Sequence, residues 1–521
     1  MTEKLLMALD GGTGSFRAVI YNTLGEQIAI NQKEWHHKPD PAYPGSIDFD
    51  FHKNWTIIVQ CIKDLLKDNP INADNIIGIS TTSMREGIVL YDKDHQELMA
   101  FSNVDARSTA ESIYLKEQFP TLEKELYKTT GQTFALSSIP RLLWVKNHKP
   151  EIYQATTYIN MLNDWIIFKL TGKLTSEPSN ACTTGLFSLE KRTWDSSLAD
   201  ICGIKSHIFP QVYESGTVIG QVTSQVAIET GLSNKSLVVA GGGDAQLGCL
   251  GVGNVNNAQA TLFGGSFWQY EFNSNQVSTD PKTRIRVNCH AVPNLWQFEA
   301  IAWNAGLIMR WFRDAFCQEE KKQALENNVT VYSILDHYAE QIPAGSNGII
   351  PTFADLMNFG NLKNSAPSFT NFDIDPERFN KYTFYRSIME NAGLISYGHM
   401  KLVAGLTGIL PKEVIFAGGS SYSPLWCQII SDILGVKVKT PKEKEATALG
   451  AAMLAGVGTG VYTSLEEATQ IIKFDTTYYP NQENHKKYME IYKSWQKVYK
   501  AQLKLSDQGF TKHMWIAPGA K

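Results

Sequence analysis

Short apolar runs that stop at glycine or serine recur along this chain, and each predicts a buried strand that turns sharply. The first covers residues 5–9 and ends in Asp10-Gly11-Gly12-Thr13-Gly14-Ser15, with further strands predicted over 16–21 and 27–35. Another, over 237–240, ends in Gly241-Gly242-Gly243-Asp244 and leads into a helix-compatible segment. The pattern then restarts. Residues 260–263 run into Gly264-Gly265-Ser266 and an aromatic strand through Trp268, and residues 414–417 run into Gly418-Gly419-Ser420-Ser421. This echo suggests two related halves.

Between these runs the period changes from two to about 3.6. Trp55, Ile58, Ile62, Leu65 and Leu66 predict an amphipathic helix from residue 51, with Asp50 as its N-cap and Pro70 beyond its end. Strands are predicted at 76–80 and 88–91, flanking Arg85-Glu86, and Asn103-Val104-Asp105-Ala106-Arg107 forms a second polar cluster. Residues 108–170 read as a largely helical insertion decorating the sheet, with 142–145 a buried run. A helix follows Gly306 and carries Arg310, small residues over 448–456 predict a closely packed helix, and 486–505 an amphipathic surface helix. The glycine-rich 247–253 and asparagine-rich 254–257 mark the best boundary, giving domains 1–252 and 253–521.

Composition narrows the function. A chain of 521 residues with 43% hydrophobic and 19% charged residues is a globular protein of two domains. The net charge of −4, without a dense Lys/Arg run, excludes nucleic acid or an anionic membrane as the main partner and favours small molecules. The apolar stretch 446–462 is interrupted by Gly450, Gly456, Gly458 and Gly460, so it does not read as a bilayer span, and the N-terminal apolar run is too short for a signal peptide. Seven scattered cysteines without a C-x-x-C pair predict reduced, buried thiols in a cytoplasmic protein. His36, His37 and His52 lack a companion carboxylate at ligand-like spacing and read as solvated loop residues.

Two stretches carry candidate chemistry. At Asp244 the glycines admit a ligand close to the backbone, the following helix offers unpaired N–H groups to an anion, and the carboxylate is placed to take a proton from a hydroxyl. The simpler reading makes Asp244 a helix N-cap. The turn from Asp10 to Ser15 suits a phosphate, with Arg17 adding charge, although it lacks the Lys-Ser/Thr ending of a P-loop. Arg85 and Glu86 either orient a hydroxylated substrate or pair with each other structurally.

Taken together, the repeated glycine turns and the Gly241 to Asp244 stretch resemble the FGGY carbohydrate kinases of the actin, hexokinase and Hsp70 ATPase superfamily, over essentially the whole chain. Longer runs at 83–91, 103–107, 138–144, 241–251 and 309–317 narrow the likeness within the family. The resemblance implies an α/β fold of two actin/hexokinase-like (RNase H-like) domains with a nucleotide cleft between them, and ATP-dependent phosphorylation of a small hydroxylated acceptor. It implies ATP and Mg²⁺ as cofactors, Asp244 as catalytic base, and Asp10 with Asp244 near the metal. Gly12 and Thr13 match the first phosphate turn, beside Arg17, and Gly264, Gly265 and Ser266 the second. Gly306 and Arg310 match nucleotide contacts, and Gly418, Gly419 and Ser421 the border of the adenine. Arg85 and Glu86 match the pair that holds acceptor hydroxyls, and Trp268 the aromatic that faces the acceptor. The chain departs from the family where Gly418-Gly419-Ser420-Ser421-Tyr422 replaces the usual Gly-Gly-Gly-Ser-Lys, and where Gly265 replaces a common threonine. Kinases of glycerol, xylulose or ribulose, and a non-catalytic nucleotide sensor, are the alternatives.

Overall fold

The computed structural model describes residues 3–302, 305–353, 358–360 and 362–517. In its first sheet, β1 (Leu5–Gly11) pairs antiparallel with β2 (Ser15–Asn22), and β2 with β3 (Gln27–Glu34). Helix α1 (Phe51–Asp68) covers β2 and β3, and its cap is the predicted one, Asp50 accepting the Lys53 amide. Strand β4 (Ile76–Ser83) runs parallel to β1; β5 (Val218–Gln221) and β6 (Leu237–Gly243) complete the order β5-β6-β4-β1-β2-β3. Helix α2 (Asp244–Gly251) begins directly at the end of β6.

The second sheet contains β7 (Ala260–Gly264), β8 (Trp268–Ser274), β9 (Arg286–Cys289), β10 (Trp296–Ile301), β11 (Glu413–Ala417), β12 (Lys437–Pro441) and β13 (Phe474–Tyr478). Their order is β9-β10-β8-β7-β11-β12-β13. Strands β7, β8, β10, β11 and β12 therefore repeat β1, β2, β3, β4 and β6 in order and direction, and antiparallel β13 takes the place of β5. Helices α3 (Ala305–Phe316), α4 (Val331–Glu340), α5 (Lys381–Thr407), α6 (Ala446–Gly458) and α7 (Gln482–Asp507) are among those that follow the first strands of this half.

Period-two alternation explains how one strand serves two cores. Along β1, Leu5, Met7 and Leu9 enter the core under α1, whereas Leu6 and Ala8 enter another formed with α2 and α6. Helix α6 arises late in the chain yet packs on β1, β4 and β6, so the halves clasp each other. Small residues permit this approach: a Cβ added to Gly450 would lie 2.0 Å from the Leu247 carbonyl oxygen, and one on Gly251 1.8 Å from that of Ala446.

Two expectations need correction. The insertion over 108–170 contains a strand, Tyr158–Met161, among its helices, and it does more than decorate the first sheet. Gln132 donates to the Val287 carbonyl, and the Tyr127 hydroxyl to that of Ile285, so the insertion is bonded to the segment leading into and along β9. His37 is half-buried against the rings of Trp35 and Phe49, and burial pushes its pKa down; it is not a solvated loop residue. All seven thiols are free and buried. No helix among the described residues is long and apolar enough to cross a membrane.

Candidate active site

Strand β6 reaches Asp244 through three glycines because its backbone passes hard against β4. A Cβ on Gly241 would fall 1.6 Å from the Thr81 carbonyl oxygen, a position only glycine can fill. Asp244 is the first residue of α2, and the N-cap is Gly243, so the N-cap reading of Asp244 is corrected. Its Oδ1 accepts from the Ala245 amide at 2.8 Å and from Arg85 Nε at 3.2 Å, leaving the side chain 41% exposed. Burial raises the Asp244 pKa, against the pull of the Arg85 guanidinium. A carboxylate so held is fixed in place, open to a ligand and basic.

Arg85 and Glu86 follow β4, and they do not pair with each other as a plain structural salt bridge. Arg85 bonds Asp244 and, with NH1, Glu299 on β10; Glu86 accepts from Arg286 on β9 at 2.5 Å. Arg286 NH1 also lies 3.5 Å from Glu299, so charges alternate along Asp244, Arg85, Glu299, Arg286 and Glu86. Burial acts to raise Glu86, but Arg286 and Arg85 outweigh it and hold the carboxyl below its ordinary value. Glu86 has a positive φ of 63°, a left-handed conformation uncommon for glutamate. Glu299 and Arg286 escaped the sequence reading. Their signal was a charge flanked by apolar residues: Glu299 between Phe298 and Ala300 inside β10, and Arg286 between Ile285 and Val287 at the start of β9.

Asp10 ends β1 almost fully buried, with Arg17 NH1 at 3.4 Å; the same NH1 reaches Glu445 at 2.9 Å. Burial raises Asp10 to about 7, with Asp244 and Glu445 adding to the rise and Arg17 opposing it. In the adjoining turn, Gly12 accepts from Trp35 Nε1 at 2.9 Å and the Thr13 hydroxyl accepts from Asn103 at 3.0 Å. These bonds fix the turn that the sequence assigned to phosphate.

In the second half, Gly264, Gly265, Ser266, Gly306, Arg310 and Gly419 converge on one cavity of about 1020 Å³. The turn presses so closely on α3 that a Cβ on Gly306 would lie 1.9 Å from the Gly265 carbonyl oxygen. Gly418 and Ser421 are not part of the cavity wall; the Ser421 hydroxyl turns inward to the Gly418 carbonyl at 2.8 Å. The sequence reading missed the far wall, which includes Thr330, Ser333, Asp336 and Glu340 on or beside α4. Trp268 does not face an acceptor. It is fully buried in the second half, stacked on Trp426 with centroids 5.2 Å apart, and its Nε1 donates to the Ser396 hydroxyl at 2.8 Å.

Family models describing the N-terminal and C-terminal domains of the FGGY carbohydrate kinases match residues 5–251 and 275–459. The chain belongs to the FGGY family of carbohydrate kinases. It is 45% identical to the autoinducer-2 kinase of Photorhabdus laumondii, over 99% of this chain and 98% of that one. It is equally identical to the autoinducer-2 kinase of Salmonella typhimurium, over 99% and 97% of the two chains. Among solved structures, xylulose kinase from Rhodospirillum rubrum superimposes with a TM-score of 0.84 at 22% identity, covering 96% of this chain and 99% of that one. Plasmodium falciparum glycerol kinase with ADP gives 0.81 at 20% identity, covering 96% and 98%. This FGGY kinase therefore has the two-lobed actin/hexokinase-like fold, and its two repeated sheets are that fold's two halves. Phosphoryl transfer by such a kinase requires positioning and charge neutralisation more than covalent help.

Proposed function

We propose that this FGGY kinase uses ATP and Mg²⁺ to phosphorylate autoinducer-2, taken as 4,5-dihydroxy-2,3-pentanedione, on its terminal hydroxyl in the cytoplasm. The 45% identity with autoinducer-2 kinases over 99% of the chain is the observation that carries the acceptor's identity.

In this reading residues 1–252 bind the acceptor and supply the base, and residues 253–521 bind the nucleotide. Asp244 accepts the proton of the attacking hydroxyl, a contribution of about 10²–10⁴ in rate for a positioned general base. Arg85 and Glu86 orient the acceptor's remaining oxygens, one as donor and the other as acceptor. Backbone N–H groups around Gly12 and Thr13, and around Gly264 to Ser266, hold the phosphates, with Arg17 nearby; Gly306, Arg310 and Gly419 border the nucleoside. Asp10 and Asp244 are hard oxygen donors close enough for Asp244 to raise the Asp10 pKa, a donor set that suits Mg²⁺. Among the described residues no cluster of three or more metal-binding side chains occurs; one or two carboxylates are what a phosphate-bound Mg²⁺ uses. When bound, the ion neutralises phosphate charge.

Incubation with Mg·ATP and the dione, followed by mass spectrometry, tests the proposal by looking for the mass gain of one phosphoryl group. Glycerol, xylulose and ribulose are run in parallel, and a higher kcat/KM with any of them would overturn the assignment.

A further inference from the structure

The fifth position of the run from Gly418 to Tyr422 carries tyrosine where the family usually has lysine, and the fold supplies a lysine from elsewhere. Gly418 adopts a φ of +89°, and the short helical turn from Gly419 to Tyr422 brings the Tyr422 ring to the cavity, 62% exposed. Lys444 Nζ lies 4.5 Å from the centroid of that ring and donates to the Pro441 carbonyl at 3.1 Å. Lys444 comes from the turn between β12 and α6, a separate part of the chain. Tyr422 belongs to the cavity wall and Lys444 does not.

The neighbouring residue points elsewhere. Glu445 accepts from Arg17, which also contacts Asp10 beside the first glycine turn. Consecutive residues of one turn thus reach the phosphate side, through Glu445, and the exposed ring, through Lys444. The Glu443 carboxylate fixes that turn by accepting the Lys444 amide at 2.8 Å and the Glu445 amide at 2.9 Å.

We propose that Tyr422 is the platform on which the purine of the nucleotide stacks, with Lys444 positioning and polarising the ring. A phenol ring loses few rotamers on binding and presents a flat face, and a cation on one face draws electron density away from the other. That lowers repulsion with a facing base. Stacking does not read the base's edge, so this contact favours purines without separating ATP from GTP. The inference rests on the cavity's being the nucleotide site, and not on the identity of the acceptor.

The test measures KM for ATP and GTP, with the best acceptor found, in Tyr422→Ala, Tyr422→Phe and Lys444→Met, together with direct ATP binding by calorimetry. Tyr422→Ala is expected to weaken ATP and GTP alike by about tenfold, while Tyr422→Phe retains the wild-type value. Inhibition by inorganic tripolyphosphate, which has no base to stack, is expected to be the same in all variants. Wild-type ATP binding by Tyr422→Ala, or equal weakening of ATP and tripolyphosphate, would overturn the proposal. Should Tyr422→Ala not fold, Lys444→Met decides, with an expected weakening of ATP of about two- to fivefold and a wild-type value counting against the platform. A wild-type protein that binds ATP but phosphorylates no acceptor would sink the kinase function, while the calorimetric ratios would still decide the role of Tyr422.

Discussion

Arg85 donates from Nε to the Asp244 carboxylate at 3.2 Å, while its NH1 group engages Glu299 from the opposite sheet. The candidate base is therefore held by a residue that both halves of the molecule share. Replacing Asp244 by asparagine keeps the shape and removes the base. Turnover is expected to fall by about 10²–10⁴ with nucleotide binding preserved, measured as kcat beside an ATP titration. Wild-type turnover would remove Asp244 as the base.

Arg85→Gln leaves two carboxylates, Asp244 and Glu299, without their shared cation. Glu299 is fully buried but keeps Arg286 at 3.5 Å, so the expected loss of stability is about 1–3 kcal/mol, together with a raised acceptor KM. Denaturant midpoints and acceptor titrations check the two effects separately.

Trp268 distinguishes the family's usual acceptor-facing aromatic from the core residue found here. Trp268→Phe deletes the bond to Ser396 and part of a fully buried ring, so a stability loss of about 1–3 kcal/mol is expected with the acceptor KM at its wild-type value. A large rise in acceptor KM without loss of stability would contradict the buried placement.

Gly306→Ala inserts a Cβ that would sit 1.9 Å from the Gly265 carbonyl oxygen, forcing the second glycine turn away from α3. The KM for ATP is expected to rise by at least about tenfold, in keeping with the cost of small displacements at a positioned site. Acceptor binding to the nucleotide-free variant, followed by calorimetry, serves as the control.

His399 on α5 is fully buried with no partner for either ring nitrogen, and burial lowers its pKa from 6.5 to about 3. Between those values the unfolded chain binds a proton that the native state refuses. This residue's contribution to stability is therefore fully present above pH 6.5 and is lost as the pH drops below it, by up to about 1.4 kcal/mol per pH unit. Denaturant titrations between pH 7 and 5 are expected to show a shallower pH dependence in His399→Leu than in the wild type.

The sequence alone determined β1, β6, β7 and β11, because an apolar run ending in glycines specifies both burial and turn locally, whereas β5, β9, β10, β12 and β13 carry no such ending and were not legible in it. Asp244, the glycine turns and the family resemblance were legible for the same reason: each is a short run whose chemistry depends on adjacent residues. What only the tertiary structure decided were relationships across hundreds of residues. Pairing of β9 with β10 sets Arg286 opposite Glu299, side-chain ion pairs then join them to Arg85 and Glu86, and α6 returns to pack on the first sheet. Trp268 lies in the core since strand alternation and the stacked Trp426 set its direction. Lys444 reaches the Tyr422 ring from a different turn. Local sequence encodes elements and their turns, but which charges meet depends on how two sheets and their connections fold together in space.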